Sequence, residues 1–332
     1  MGLVLTGWAL VGADVSAAPF HLIVTDLEPP LVPNSVMDLA VGLGYFEREG
    51  VEVELVRVQQ TPSALAALQS GDGDMANISV DAVLQLVARN QVGLKAVASP
   101  NKSLPFLIAA ADAVATPGDL SGRSFAIGRI GSLDQTLSSA VLRSMGVDPG
   151  SLEFVAIGQP NVRAQALAAG QVDATTMSIG VWMSLPDRAG LHVLVEPDAY
   201  YQAAPVLQKV NVVPDAVLAA RRDDVAAVVR ALTKAARDFA AEPGIWVDAM
   251  AAARPDVGRE YLEALASVFA DSWSVNGGLN RKEIDHTVDW LYQGPDFSGL
   301  RKPEVSEWVD FSILDGVLAD LGPAEGADRP ER

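Results

Sequence analysis

Residues 54–79 and 153–178 of this chain align without a gap at an offset of 99 residues, with eight of 26 positions identical. The matches are Glu54/Glu153, Val56/Val155, Gln60/Gln159, Ala67/Ala166, Leu68/Leu167, Gly71/Gly170, Asp74/Asp173 and Ser79/Ser178. Three are Ala, Leu or Val pairs, which an apolar composition favours by itself. The Gln, Gly, Asp and Ser pairs fall at junctions between elements, and composition does not explain those. Each copy reads as strand, polar turn, Ala/Leu-rich helix, Gly cap, Asp, short strand and Ser. A repeat of one supersecondary unit predicts two lobes of related build.

The flanking sequence extends the pattern. Residues 21–25 read as a strand, 35–44 as a helix ending at Gly44, and 51–58 as a strand with one covered face. Thr61, with Pro62 after it, opens a helix closed by Gly71. Residues 75–78 form a short strand, Ser79 caps a helix to about Asn90, and 94–98 is a further strand. The second copy has its own leading strand at 124–128 and helix at 132–145. Strands alternating with helices imply an α/β fold with mostly parallel pairing. After a strand at 209–213, helices are expected at 222–241, 261–270, 284–292 and 305–321. The helix at 222–241 would bury Val225, Val229, Leu232, Ala236 and Phe239. Trp246, Trp273, Trp290 and Trp308 read as helix-packing residues, and residues 322–332, rich in Pro, Gly and charge, as a disordered tail.

Composition excludes several functions. Asp and Glu outnumber Lys and Arg by 42 to 24, a net charge of −18, and no basic cluster exists to bind a nucleic acid. There is no cysteine, which removes disulfides, thiolate metal sites and Cys nucleophiles together. The first 12 residues are uncharged and mostly apolar, and Val15-Ser16-Ala17-Ala18 follows with small side chains. This pattern predicts an export signal over residues 1–18 and hence a periplasmic protein. No Lys or Arg precedes Arg48, so a charged leader segment would require a true start upstream of Met1.

In open parallel sheets, ligands bind beyond the carboxyl ends of strands, where helix N-termini converge. The first-lobe candidates are Asp26, Leu27 and Glu28 after strand one, then Asn34 and Ser35, Gln60 and Thr61, and Ser79, Val80 and Asp81. The second lobe offers Arg129, Gly131 and Ser132, Gln159 and Asn161, then Ser178 and Trp182. Ser79, Ser132 and Asn161 would serve equally as helix caps. Asp81 would serve as a partner for the helix dipole, and Trp182 as a packing residue. The two Gln and the two Ser take equivalent places. With carboxylates at 26, 28 and 81 and cations only at Arg129 and Arg163, the reading leans to a neutral or amine-bearing ligand, with an organic anion close behind.

Enzyme motifs are absent. Glu47 occupies the third glycine position of a dinucleotide fingerprint, no GxSxG elbow occurs, and His21, His192 and His286 lack ligand spacing. The Asp72-Gly73-Asp74 run lacks the rest of a calcium loop.

Four segments together resemble one family. GYFEREGVEVELV from Gly44, ALQSGDGDMA from Ala67, DLSGRSFAIGRIGS from Asp119 and AGQVDA from Ala169 are similar, in order and spacing, to periplasmic substrate-binding proteins of ABC importers. These are the nitrate/sulfonate/taurine binders and their relatives that take thiamin-pyrimidine precursors. The resemblance covers about residues 20–240. It implies a type II periplasmic-binding-protein fold, with lobe 1 formed by 19–103 and 209–321 and lobe 2 by 104–208. It further implies a small-molecule ligand trapped by hinge closure, a membrane permease as partner, a monomer and no cofactor. Enzymes of the same fold that make a thiamin pyrimidine are associated with a Cys-rich motif, which this chain lacks. A dehydratase-like enzyme and a ligand sensor signalling to a partner stay open as alternatives.

Overall fold

The computed structural model describes residues 18–90, 93–100, 106–203, 206–326 and 328, and of Asp198 and Tyr201 only the backbone. The expected leader, up to residue 17, lies outside the described residues. Ten strands form two five-stranded sheets. They are β1 (Phe20–Val24), β2 (Val53–Arg57), β3 (Met75–Ser79), β4 (Leu94–Ala98), β5 (Phe106–Ala111), β6 (Ser124–Ile127), β7 (Glu153–Ala156), β8 (Ala174–Ser178), β9 (Leu191–Val195) and β10 (Lys209–Pro214). The first sheet runs β2-β1-β3-β10-β4 and the second β7-β6-β8-β5-β9. In each, three strands pair in parallel, and an antiparallel strand, β10 or β5, pairs with the third of them and with the sheet's last strand.

The two sheets thus share one plan, and the repeated segments are β2-α3-β3 and β7-α6-β8. Helices α1 (Val36–Gly42), α2 (Tyr45–Arg48), α3 (Thr61–Ser70) and α4 (Val80–Ala88) belong to the first lobe. Helices α5 (Leu133–Ser144), α6 (Pro160–Ala168), α7 (Ile179–Ser184) and α8 (Pro197–Ala203) belong to the second. The repeated Gly and Asp do the same jobs twice. Gly71 and Gly170 end their helices at φ +83° and +68°, where a side chain would be strained. The Asp74 carboxylate accepts the His21 N–H at the start of β1 (2.8 Å), and Asp173 accepts the Ser124 N–H at the start of β6 (2.9 Å). Each Asp therefore locks a loop to the neighbouring strand.

The last third is helical: α9 (Asp215–Ala220), α10 (Arg222–Ala241), α11 (Pro243–Ala253), α12 (Arg259–Val268), α13 (Arg281–Leu291), α14 (Val305–Trp308) and α15 (Phe311–Leu321). All five apolar residues expected on the buried face of α10 are buried. Phe239, Trp246, Phe269 and Trp273 meet edge to face, with centroids 5.3–6.4 Å apart. Trp308 is also buried, and Trp290 is partly so.

Three expectations need correction. Gln60, not Thr61, is the cap of α3; it is extended (φ −155°, ψ 161°), and the Thr61 hydroxyl is turned to Ser79 instead. The helix expected over 305–321 is two helices, because Val309 pairs with edge strand β4 at Ala96 and Asp310 caps α15 through the Ser312 N–H. The tail is not loose throughout. Asp328 is buried and accepts the N–H groups of Asn276 (2.7 Å) and Gly278 (3.0 Å). Among the described residues, no helix is long and apolar enough to cross a membrane.

Candidate functional site: the cleft between the sheets

A cleft of about 560 Å³ opens where the carboxyl ends of the parallel strands of both sheets meet. That volume suits a small organic molecule. Twelve of the seventeen candidate residues line it: Asp26, Leu27, Glu28, Asn34, Gln60 and Thr61, then Ser79, Arg129, Ser132, Gln159, Asn161 and Ser178. Gln60, Ser79, Ser132, Gln159 and Ser178 are the N-cap residues of α3, α4, α5, α6 and α7, so five helix N-termini face one space. Gln159 of the second lobe donates from Nε2 to the Gln59 carbonyl of the first, bridging the cleft.

Five candidates lie elsewhere. Ser35 is buried, and its hydroxyl accepts the Trp246 indole N–H (2.9 Å). Val80 is core. Asp81 is buried beside Ser79, and burial pushes its carboxyl above the usual range. Gly131 lines a second groove, next to α5 and residues 290–296, and its N–H donates to Gln135 Oε1 (2.7 Å). Trp182 packs partly buried on the second lobe's core, with the Arg188 guanidinium 5.4 Å from its ring centre. Val80 and Asp81 are one and two residues past the cap Ser79, and each residue of α4 turns the side chain by about 100° from the last.

The helix N-termini differ in how they are closed. The caps of α4 and α5 are followed by an acid in the first turn, Asp81 and Asp134 respectively. Helices α3 and α6, the repeated pair, have neither an acid in the first turn nor a side-chain cap. Their positive ends, one from each lobe, carry no acid, and each favours negative charge, although Pro62 and Pro160 offer no N–H and the Val162 N–H of α6 is accepted by Asn161 Oδ1 (3.0 Å).

The charges lining the cleft are mostly spent on one another. Lys209 Nζ lies 3.7 Å from Asp26 and donates to Thr25 Oγ1 (2.8 Å). Arg254 pairs with Glu28 (3.3 Å) and with Asp256 (2.7 Å). Arg163 is 3% exposed and sits 3.5 Å from Asp134. Its guanidinium also donates to the Gly158 carbonyl (2.5 Å), the Thr176 carbonyl (3.0 Å) and Thr175 Oγ1 (3.2 Å). Burial pulls its proton affinity down while Asp134 raises it. Arg129 differs: it donates to the carbonyls of Ile130 and Gly131, and among the described residues no carboxylate lies at ion-pair distance. Lining cations thus outnumber lining carboxylates four to three, though Arg254 is shared between Glu28 and Asp256 outside the lining. Lys209 and Arg254 were not anticipated from sequence; each is distant in the chain from the carboxylate it neutralises. Gln208, Phe106 and Leu31 also line the cleft. No Cys or His side chain does so among the described residues, nor is any cluster of three or more His, Asp or Glu arranged there to hold a metal.

Residues 36–244 match the model of the family described as NMT1/THI5 like. The chain belongs to the NMT1/THI5-like family. That match takes in strands of both sheets and the cleft residues from Gln59 to Lys209. No curated protein sequence matches the chain significantly. Among solved structures, the ligand-binding component of an ABC-type import system from Staphylococcus aureus, with zinc bound, has a TM-score of 0.70 at 17% identity, covering 90% of this chain and 98% of that one. The periplasmic aliphatic sulphonate-binding protein SsuA of Escherichia coli has a TM-score of 0.65 at 15% identity, covering 89% and 92%. The desulfurization enzyme DSZB has 0.63 at 15%, covering 91% and 99%. At these identities the likeness shows the fold, that of periplasmic binding proteins. This fold therefore occurs both in binding proteins and in at least one protein named as an enzyme.

Proposed function

We propose that this NMT1/THI5-like protein is the solute-binding component of an ABC importer, and that its cleft captures a small organic anion. The observation that carries the reading is that the N-termini of α3 and α6, neither followed by an acid in its first turn, face the cleft from its two sides, where lining cations outnumber lining carboxylates four to three. The anion is preferred here to the neutral or amine-bearing ligand toward which the sequence leans. The protein would be exported, act as a monomer and hand its ligand to a membrane permease. Its two lobes, 19–103 with 209–321 and 104–208, would close on the ligand. The twelve lining candidates, with Lys209 and Arg254 holding the charge balance, would form the site.

An enzymatic role on this fold would need a group that moves a proton or attacks. The cleft offers ion-paired carboxylates and hydroxyls, with no Cys or His among its lining residues, which favours binding over chemistry. A thermal-shift screen of short alkanesulfonates and carboxylates against alkylamines of equal length tests the reading. A binder at 100 times its dissociation constant adds about 2.7 kcal/mol of stability. Stabilisation by anions is expected. Stabilisation by amines alone, or turnover of a bound anion, would defeat it.

A further inference from the structure

Much of the cleft lining is apolar and within reach of solvent. Leu27 is 52% exposed and Val162 44% exposed, and both line the cleft, one from each lobe. They are two of the seven large hydrophobic side chains exposed among the described residues. Pro30 of the first lobe and Phe106, Leu133 and Val181 of the second are partly exposed on the same lining. A single exposed Leu or Val needs no explanation, but apolar surface gathered in one cleft marks a place that something covers. Among the described residues Phe106 is the one aromatic side chain on the lining, so flat rings have little to stack on.

Size points the same way. At about 30 Å³ for each water-sized group, the 560 Å³ of the cleft holds roughly 18 of them. A sulfonate or carboxylate on a short chain fills about a third of that. The lobes already meet beside the cleft, where the Gly180 backbone abuts the Leu31 carbonyl and Gln159 reaches the Gln59 carbonyl. Steric contact there limits how far the walls can close onto a smaller ligand. The remaining space would hold water against Leu27 and Val162, and hydrocarbon displaces such water favourably. Val162 stands in the first turn of α6, and Leu27 follows Asp26, which lies beside Lys209. The apolar positions therefore begin next to the polar ones. We infer that the ligand is an amphiphile, an organic anion whose aliphatic body lies against Leu27 and Val162 while its charged group meets the cationic lining. The inference rests on the anion reading of the cleft and adds that the body is recognised as well as the charge.

The test is calorimetric titration of the whole protein with ethane-, butane-, hexane- and octanesulfonate, below their micelle concentrations. Each methylene that is fully buried tightens binding about four-fold, and one half buried about two-fold. Hexanesulfonate should therefore bind at least about ten-fold tighter than ethanesulfonate, at one equivalent per chain. In the double variant Leu27→Asn with Val162→Thr, which keeps side-chain size at both positions, that ratio should fall at least about three-fold. Both positions are exposed, so the variant should stay folded, which circular dichroism checks. Equal affinities along the series overturn the inference and leave the anion reading standing. A gain with length that the double variant keeps in full overturns it as well, since the body then lies elsewhere. So does uptake of many equivalents, as adsorption would give. No binding by any member, or binding of 1-hexanol as tight as that of hexanesulfonate, overturns the anion reading and this inference with it.

Discussion

Gly180 sits where the two lobes touch. It lies in α7 of the second lobe, and a Cβ added there would sit 2.2 Å from the Leu31 carbonyl oxygen and 2.6 Å from Leu31 Cβ in the first lobe. Ordinary carbon–oxygen contact is about 3.2 Å, so Gly180→Ala forces the two segments apart by about 1 Å. The Gly180 backbone is not left-handed, so alanine suits α7 and should add up to about 1 kcal/mol of helix propensity. Ile179 and Met183 of α7 also pack on the first lobe's core. If the lobes move on a hinge, the ligand-free variant can relieve the clash by opening. The clash then falls on the closed, liganded form, where overpacking costs about 1–3 kcal/mol. The expectation is a 5- to 150-fold loss of affinity for a bound alkanesulfonate probe, with an unchanged or slightly raised unfolding midpoint for the free protein. Calorimetric titration and a urea melt on the same sample measure the two quantities. A lowered midpoint with unchanged affinity would refute the argument, because it would make the α7–Leu31 contact a fixed part of the core and not a moving interface.

Three further outcomes follow from particular side chains. Burial raises the carboxyl of Asp38 from 3.8 to about 6, against the pull of Arg57, which donates to it at 2.6 Å. The folded protein therefore holds a proton there that the unfolded chain releases, so this group's contribution is full below 3.8 and lost as pH rises to about 6. Urea melts across that range should show wild-type stability falling by about 3 kcal/mol relative to Asp38→Asn; parallel curves would refute it. Arg163→Met strands Asp134 and frees the carbonyls of Gly158 and Thr176, so a loss of about 3–5 kcal/mol is expected by denaturation, and less than 1 would show the network to be dispensable. Asp328→Ala leaves the Asn276 and Gly278 N–H groups without their carboxylate; a loss of about 1–3 kcal/mol is expected, and none would mean that the tail is not held there.

The repeat made much of this fold legible. Equal offsets in α3/α6 and β3/β8 put the caps Gln60, Gln159, Ser79 and Ser178 on the cleft, as their spacing implied. Strand β4 and helix α10 could be read to the residue from their own patterns. Strand β5 escaped notice because its run, FLIAAA, is buried on both faces and lacks alternation. Ser35, Val80 and Asp81 were misplaced because proximity in sequence to a cap does not fix the direction of a side chain on the helix that follows. The break at Val309 depends on a bridge to Ala96 that no local pattern reveals.

The charge balance of the cleft is hard to read from sequence for a different reason, and under the proposed anion reading it says where selectivity resides. Asp26 and Glu28 are visible as carboxylates after strand one, but their partners Lys209 and Arg254 arrive from the returning strand and the C-terminal helices. Local sequence shows one side of each pair, so a neutral pair reads as a bare acid. The duplicated β-α-β units supply both lobes with the same helix ends, Gln for Gln and Ser for Ser, and such a matched pair suits any small anion. What distinguishes one anion from another must come from side chains that the duplication does not provide. In this cleft those are Leu27, Arg129 and the two distant cations, all outside the repeated segments. Substitutions at these four positions should alter which ligand binds, whereas substitutions at the repeated caps should alter how tightly any ligand binds.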